Sequence, residues 1–164
     1  MSGTLRQVCP ECKAYMQWKV ELPGWLKCIC GFHKKVEAPV SHMKMEELNP
    51  KGYATSDEVK ANLEELLKRA NALRNAYGKP MVVTSGLRSD EDQKRVNPKA
   101  PKSRHLKGKA MDVKDPNGDL AKWCKENVAK LEEIGFWMEE PEYTKGWVPF
   151  QSEAPKSGRR FFIP

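Results

Sequence analysis

The 164-residue sequence predicts an α+β fold, with helices packed on a small antiparallel sheet and a miniature metal-held domain in front of it. Three observations predict it. An apolar helical period starting at Thr55 runs on for about six turns. Short β-rich runs bounded by Gly, Pro and Asp follow it to the C-terminus. Four of the five Cys fall between residues 9 and 30, in two close pairs.

Composition narrows the partners. The chain carries 29 Lys and Arg against 22 Asp and Glu, a formal charge of +7, which suits an anionic partner such as nucleic acid or bacterial cell wall. No stretch of about 18 apolar residues is present to span a bilayer, so no membrane partner is expected. The N-terminus lacks the apolar core of a signal peptide, and the chain reads as made in the cytoplasm. Clustered Cys without a secretory signal favour metal ligation in a reducing compartment over a disulfide framework.

Residues 1–36 read as a domain of their own. Cys9-Pro-Glu-Cys12 precedes an alternating stretch around Met16 to Leu22, a Pro23-Gly24 turn, and Cys28-Ile29-Cys30. Two hairpin-like arms of about 30 residues cannot bury enough apolar surface to offset their chain entropy, so something else must hold them. Thiolates at Cys9, Cys12, Cys28 and Cys30 can meet around one tetrahedral Zn²⁺ at about 2.3 Å per bond. The pattern resembles a zinc ribbon. Its second pair is one residue tighter than Cys-x-x-Cys, which leaves His33 as a substitute ligand. A closed four-ligand site has no open position for substrate; its work is folding and docking, and its partner is a protein. Trp18 and Trp25 fit a miniature core better than a nucleic-acid contact. Lys and Arg lie scattered among acids through both long helical stretches, so nucleic acid is the weakest of the partner readings.

Residues 37–54, with Pro39, Pro50 and Gly52 and no steady period, read as a linker. The main domain, 55–164, opens on a Thr55/Glu58 capping box. Val59, Leu63, Leu66, Leu67, Ala70, Leu73 and Tyr77 follow at helical spacing up to Gly78-Lys79-Pro80. Met81 to Thr84 reads as a buried strand, Asp90 to Val96 as one or two helical turns and Asn97 to Lys102 as a loop. Ala110 to Val113 reads as a strand. A second helix after Gly118 carries Leu120, Trp123, Cys124, Val128 and Leu131 on one face and stops near Gly135. Cys124 on that face reads as an inert core residue. Phe136 to Met138, Trp147-Val148 and Phe161 to Ile163 are short closing strands.

The chemistry gathers between Ser103 and Asp112. In Ser103-Arg104-His105-Leu106-Lys107-Gly108-Lys109-Ala110-Met111-Asp112 an imidazole and a carboxylate are bridged by a Gly that permits a sharp turn, so a loop entering a strand can place both on one metal. The run matches every specified position of Ser-x-His-x-x-Gly-x-Ala-x-Asp. It thereby resembles the zinc peptidoglycan peptidases that include D-Ala-D-Ala carboxypeptidases and phage L-alanyl-D-glutamate endopeptidases. Ser85-Gly86-Leu87-Arg88 is similar to the family's Ser-Gly-x-Arg segment, and Gly146-Trp147-Val148 to the approach to its last motif. The resemblance implies His105 and Asp112 as zinc ligands, Arg88 as a stabiliser of the oxyanion or substrate, and Ser103 as a holder of a substrate carboxylate. Zinc chemistry suits these roles, because the metal brings the pKa of bound water to about 7 and a guanidinium steadies developing negative charge.

One departure counts against activity. The family's third ligand, a His two residues after the final Trp, falls on Pro149, and its catalytic Asp or Glu falls on Gly146. Neither side chain carries the needed group. A replacement ligand would have to be His33, His42, or a carboxylate such as Glu140 or Glu142. Two functions follow as expectations. The first is a peptidase-like protein with an incomplete zinc site, docked by its Cys segment as a structural part of a virion or tail. The second is an active zinc peptidase acting on peptidoglycan.

Overall fold

The computed structural model describes residues 19–22, 25–27, 30, 33–35 and 42–164. The chain divides into two units, Met1–Pro39 and Val40–Pro164. In the first, strands β1 (Lys19–Leu22), β2 (Trp25–Lys27) and β3 (His33–Lys35) form an antiparallel sheet in that order. Two arms were expected; His33–Lys35 adds a third strand. Cys9, Cys12 and Cys28 lie outside the described residues, and with them the expected zinc ribbon; Cys30 is exposed at a turn.

The second unit starts inside the expected linker. Residues Met45–Leu48 form a short helix, α1, and Met43 and Leu48 are buried in the core. Asn71 fastens this segment, accepting from Met43 N at 2.6 Å. Met43, Met45 and Leu48 recur at spacings of two and three, a pattern too short to stand out between Pro39 and Pro50.

Helix α2 (Asp57–Tyr77) is capped by Ser56, whose hydroxyl accepts from Val59 N, and not by Thr55. Its buried stripe is Leu63, Leu66, Ala70 and Leu73. Arg74 is buried on the same helix and donates to Met81 O and Glu47 Oε2, which ties α1 and the segment leading into the next strand to α2.

Strands β4 (Val83–Ser85), β5 (Ala110–Asp115), β6 (Trp137–Glu139), β7 (Gly146–Gln151) and β8 (Phe161–Phe162) form a five-stranded sheet in the order β4-β5-β7-β6-β8. The sheet is antiparallel as expected except at one edge, where β8 runs parallel to β6. Helix α3 (Asp90–Val96) follows β4. The second long helix of the sequence reading is two, α4 (Asp119–Glu126) and α5 (Val128–Ile134). Asn127 breaks it by turning its side-chain amide back onto Trp123 O, and Val128 is consequently exposed. Cys124 is fully buried, and burial pushes its thiol up to about 12, as suits an inert core residue.

Alternation along the strands gives the sheet two unlike faces. Met111, Val113, Met138, Val148 and Phe150 are all at most 1% exposed and join the core with α2, α4 and α5. Asp112, Lys114, Glu139, Trp147 and Pro149 occupy the alternate positions of the same strands, on the other face.

Candidate functional site

The site is built on that second face. A loop over 97–103 leads into a 3-10 turn, Arg104–Lys107, and Ser103 caps the turn by accepting from His105 N at 3.4 Å. Gly108 ends it at φ +65, and a Cβ there would lie 2.8 Å from Leu63 Cγ on α2. The Gly of the motif is thus needed twice, for the left-handed turn and for the close approach to α2. Asn62 on α2 donates to Lys107 O at 2.9 Å and holds the turn from the other side.

His105 is 8% exposed, and its Nδ1 lies 2.7 Å from Gly86 O. A carbonyl only accepts, so Nδ1 carries a proton and donates to it, which leaves Nε2 turned toward the groove. That atom faces Asp112 Oδ1 at 3.5 Å. Gly86 is fixed in turn by α1. Leu87 N donates to Leu48 O at 2.7 Å, and a Cβ on Gly86 would sit only 2.1 Å from the same oxygen.

Arg88 reaches the other oxygen of Asp112 at 2.8 Å. Two more of its five N–H groups go to Ser85 Oγ at 2.9 Å and to Gln93 Oε1 at 3.1 Å. Gln93 is buried and donates to Asn97 O and Ala100 O, so one amide joins Arg88 to the loop before the turn. Helix α3, which carries Gln93, is anchored at Asp92 by Lys51 and Tyr53. Their hydrogen bonds bring the Asp92 carboxyl down to about 2.

Across the sheet, Asp112 pairs with Pro149. The register of β6 against β7, with Met138 opposite Phe150, puts Glu139 next to Pro149 on the far side. Burial raises the Glu139 carboxyl above its ordinary value, with the Asp112 charge adding to the rise and His105 opposing it. His105, Asp112, Pro149 and Glu139 all line one groove of about 1150 Å³.

Residues 41–141 match the sequence model of the family described as Peptidase M15. The chain belongs to the peptidase M15 family. The matched span includes Arg88, Ser103, His105, Asp112 and Glu139 and stops short of Gly146 and Pro149. No curated protein and no solved structure matches the chain.

M15 peptidases are generally zinc-dependent, and the donor set here can be weighed against that requirement. His105 Nε2 and Asp112 Oδ1 come together as the motif implies. The third position offers Pro149, which has no donor atom, and Gly146 stands exposed at the start of β7 with no carboxylate. Of the substitutes named from sequence, Glu140 is held by Lys125 and Glu142 is exposed in a turn. His42 is exposed as well, and the side chain of His33 lies outside the described residues. Among the described residues no group of three His, Cys, Asp or Glu is placed to hold a metal ion. Two donors do not fit a catalytic zinc, which takes three protein ligands.

Sequence reasoning missed Glu139. The signal was the alternation of Trp137-Met138-Glu139, which sends Glu139 to the face of Asp112 once Met138 is assigned to the core.

Proposed function

We propose that this M15 chain is a pseudo-peptidase, a protein that keeps the family's groove without its complete zinc site and serves as a structural or docking component. The reading rests on one observation: the cross-strand partner of Asp112 is Pro149, so the groove lacks a third ligand where the sheet would present it. Two further features support it. Arg88 neutralises Asp112 directly, which gives the carboxylate a cationic partner without a metal. The four Cys at 9–30 have the spacing of a closed zinc knuckle suited to docking, and the resemblance to phage endopeptidases makes a virion or tail assembly the natural partner.

A second reading, an active zinc D,D-carboxypeptidase or L-alanyl-D-glutamate endopeptidase, is favoured by Glu139 alone, a carboxyl on the groove floor whose pKa feels both Asp112 and His105.

Zinc analysis of the full chain separates them. The pseudo-peptidase binds one zinc tightly, at the Cys cluster, and His105→Ala leaves that count unchanged. Two tight zincs per chain, one of them lost in His105→Ala, would overturn the proposal. So would release of D-alanine or cleavage of wall peptides that disappears in Asp112→Ala.

A further inference from the structure

The groove carries cations that its own structure does not use. Between Asp92 and Asp112 the sequence holds seven Lys and Arg and no Asp or Glu. Part of this charge is consumed locally, since Arg95 pairs with Asp92 while Arg104 and Lys109 pair with Glu153. Lys99 and Lys102, on the loop that forms one wall of the groove, are exposed and enter no ion pair among the described residues. The same holds for Lys114 on β5. Opposite Lys114 in register stands Trp147, 43% exposed and also lining the groove.

The residues that the family resemblance assigns to substrate are, by contrast, already engaged within the protein. Arg88 gives three of its five N–H groups to Asp112, Ser85 and Gln93, and Ser103 caps the turn that carries His105. We infer that carboxylate recognition has moved from Arg88 and Ser103 to the rim, so that Lys99, Lys102 and Lys114 with the face of Trp147 hold a peptide bearing spaced carboxylates. The inference rests on the pseudo-peptidase reading in treating the groove as a binding surface.

Charge complementarity selects this class of ligand. The lining includes five Lys and Arg and two acidic side chains, and these, Asp112 and Glu139, lie on the floor. A polymer with a phosphate on every unit would press charge against that floor. A peptide can set its carboxylates on the rim lysines, lay an uncharged amide over Asp112 and Pro149, and pack an apolar side chain on Trp147.

The test is fluorescence anisotropy on the full chain with a labelled L-Ala-D-Glu-L-Lys-D-Ala peptide at low salt. Three comparisons accompany it: the same peptide with both carboxylates amidated, a short oligothymidylate, and the Lys99→Ser/Lys102→Ser variant. These exposed loop lysines make no ion pair among the described residues, so the variant folds as the parent does. Saturable binding is expected, weakened about tenfold by the double substitution, by amidation and by added salt. Trp147→Ala should weaken it at every salt concentration. No binding, equal binding of the amidated peptide, or preference for the oligonucleotide would each overturn the inference. Cleavage of the peptide with the lysine dependence intact would overturn the pseudo-peptidase reading and leave the rim site standing, so the two fail separately.

Discussion

Val148 and Phe150 leave β7 on one side while Trp147 and Pro149 leave it on the other, and the two sides answer to different constraints. The first side is closed by α2, α4 and α5, where the rings of Phe136 and Phe150 stand 5.3 Å apart and any change of volume is felt by several neighbours. The second opens on the groove, where a side chain is held by what it does for a ligand or a metal. A substitution on the groove face can therefore alter the site while the core face keeps the fold. Pro149 shows how far this goes, since it lies in a strand with neighbours on both sides and has no N–H to give the ladder.

The sharpest way to break this comparison is a pair of truncations on one strand. Phe150→Ala should cost about 3–5 kcal/mol in chemical denaturation. Trp147→Ala, three residues earlier and on the groove side, should cost under about 1 kcal/mol. Similar losses would mean that the two faces are not distinct in energy.

A smaller effect is expected where the faces communicate. Gly86→Ala pushes a methyl into Leu48 O and should destabilise by about 1–3 kcal/mol. It should also release His105 Nδ1 from Gly86 O, visible as a change in the His105 ring resonances in NMR. Unchanged resonances would detach α1 from the site.

Pro149→His sharpens the comparison from the groove side. It returns both a donor for zinc and a backbone N–H to the ladder. Zinc affinity at His105 and Asp112 should rise at least tenfold, a scale on which even outer partners tune metal sites. Equilibrium dialysis against wild type, whose Cys cluster is the same, would show it, and stability should not fall. No gain in affinity would mean that the third-ligand position lies elsewhere.

The smallest effect concerns Glu139. Its pKa in the fold is raised above 4.5, so its charged form costs stability at neutral pH, and the cost is relieved as pH falls through the raised value. Glu139→Gln should therefore raise the melting temperature slightly at pH 7, with the difference vanishing below about pH 4.5. A stability loss at pH 7 would show that the charged carboxylate has a favourable partner.

Much of the fold was legible because periodicity is local. The stripe from Leu63 to Leu73, the strand at Ala110 and the αL glycines at 78 and 135 are each set by neighbours a few residues away. The misses were local competitions won by detail. Ser56 took the cap expected of Thr55, and Asn127 cut a helix whose apolar face ran on past it. The segment 42–48 was missed for another reason: its apolar residues gain their meaning from a surface formed by α2 and the start of β4.

In the site, sequence alone fixed the chemical types: His105 and Asp112 as a potential pair, Gly108 as the turn between them, and Pro149 and Gly146 as residues without donors. Those follow from covalent structure and the spacing of one motif. Only the tertiary structure decided that Arg88 spends its charge on Asp112, that Gly86 O holds His105 Nδ1, and that Glu139 shares the floor. Each of these depends on contacts between segments 12 or more residues apart along the chain, which sheet register and helix packing bring together and no local pattern encodes.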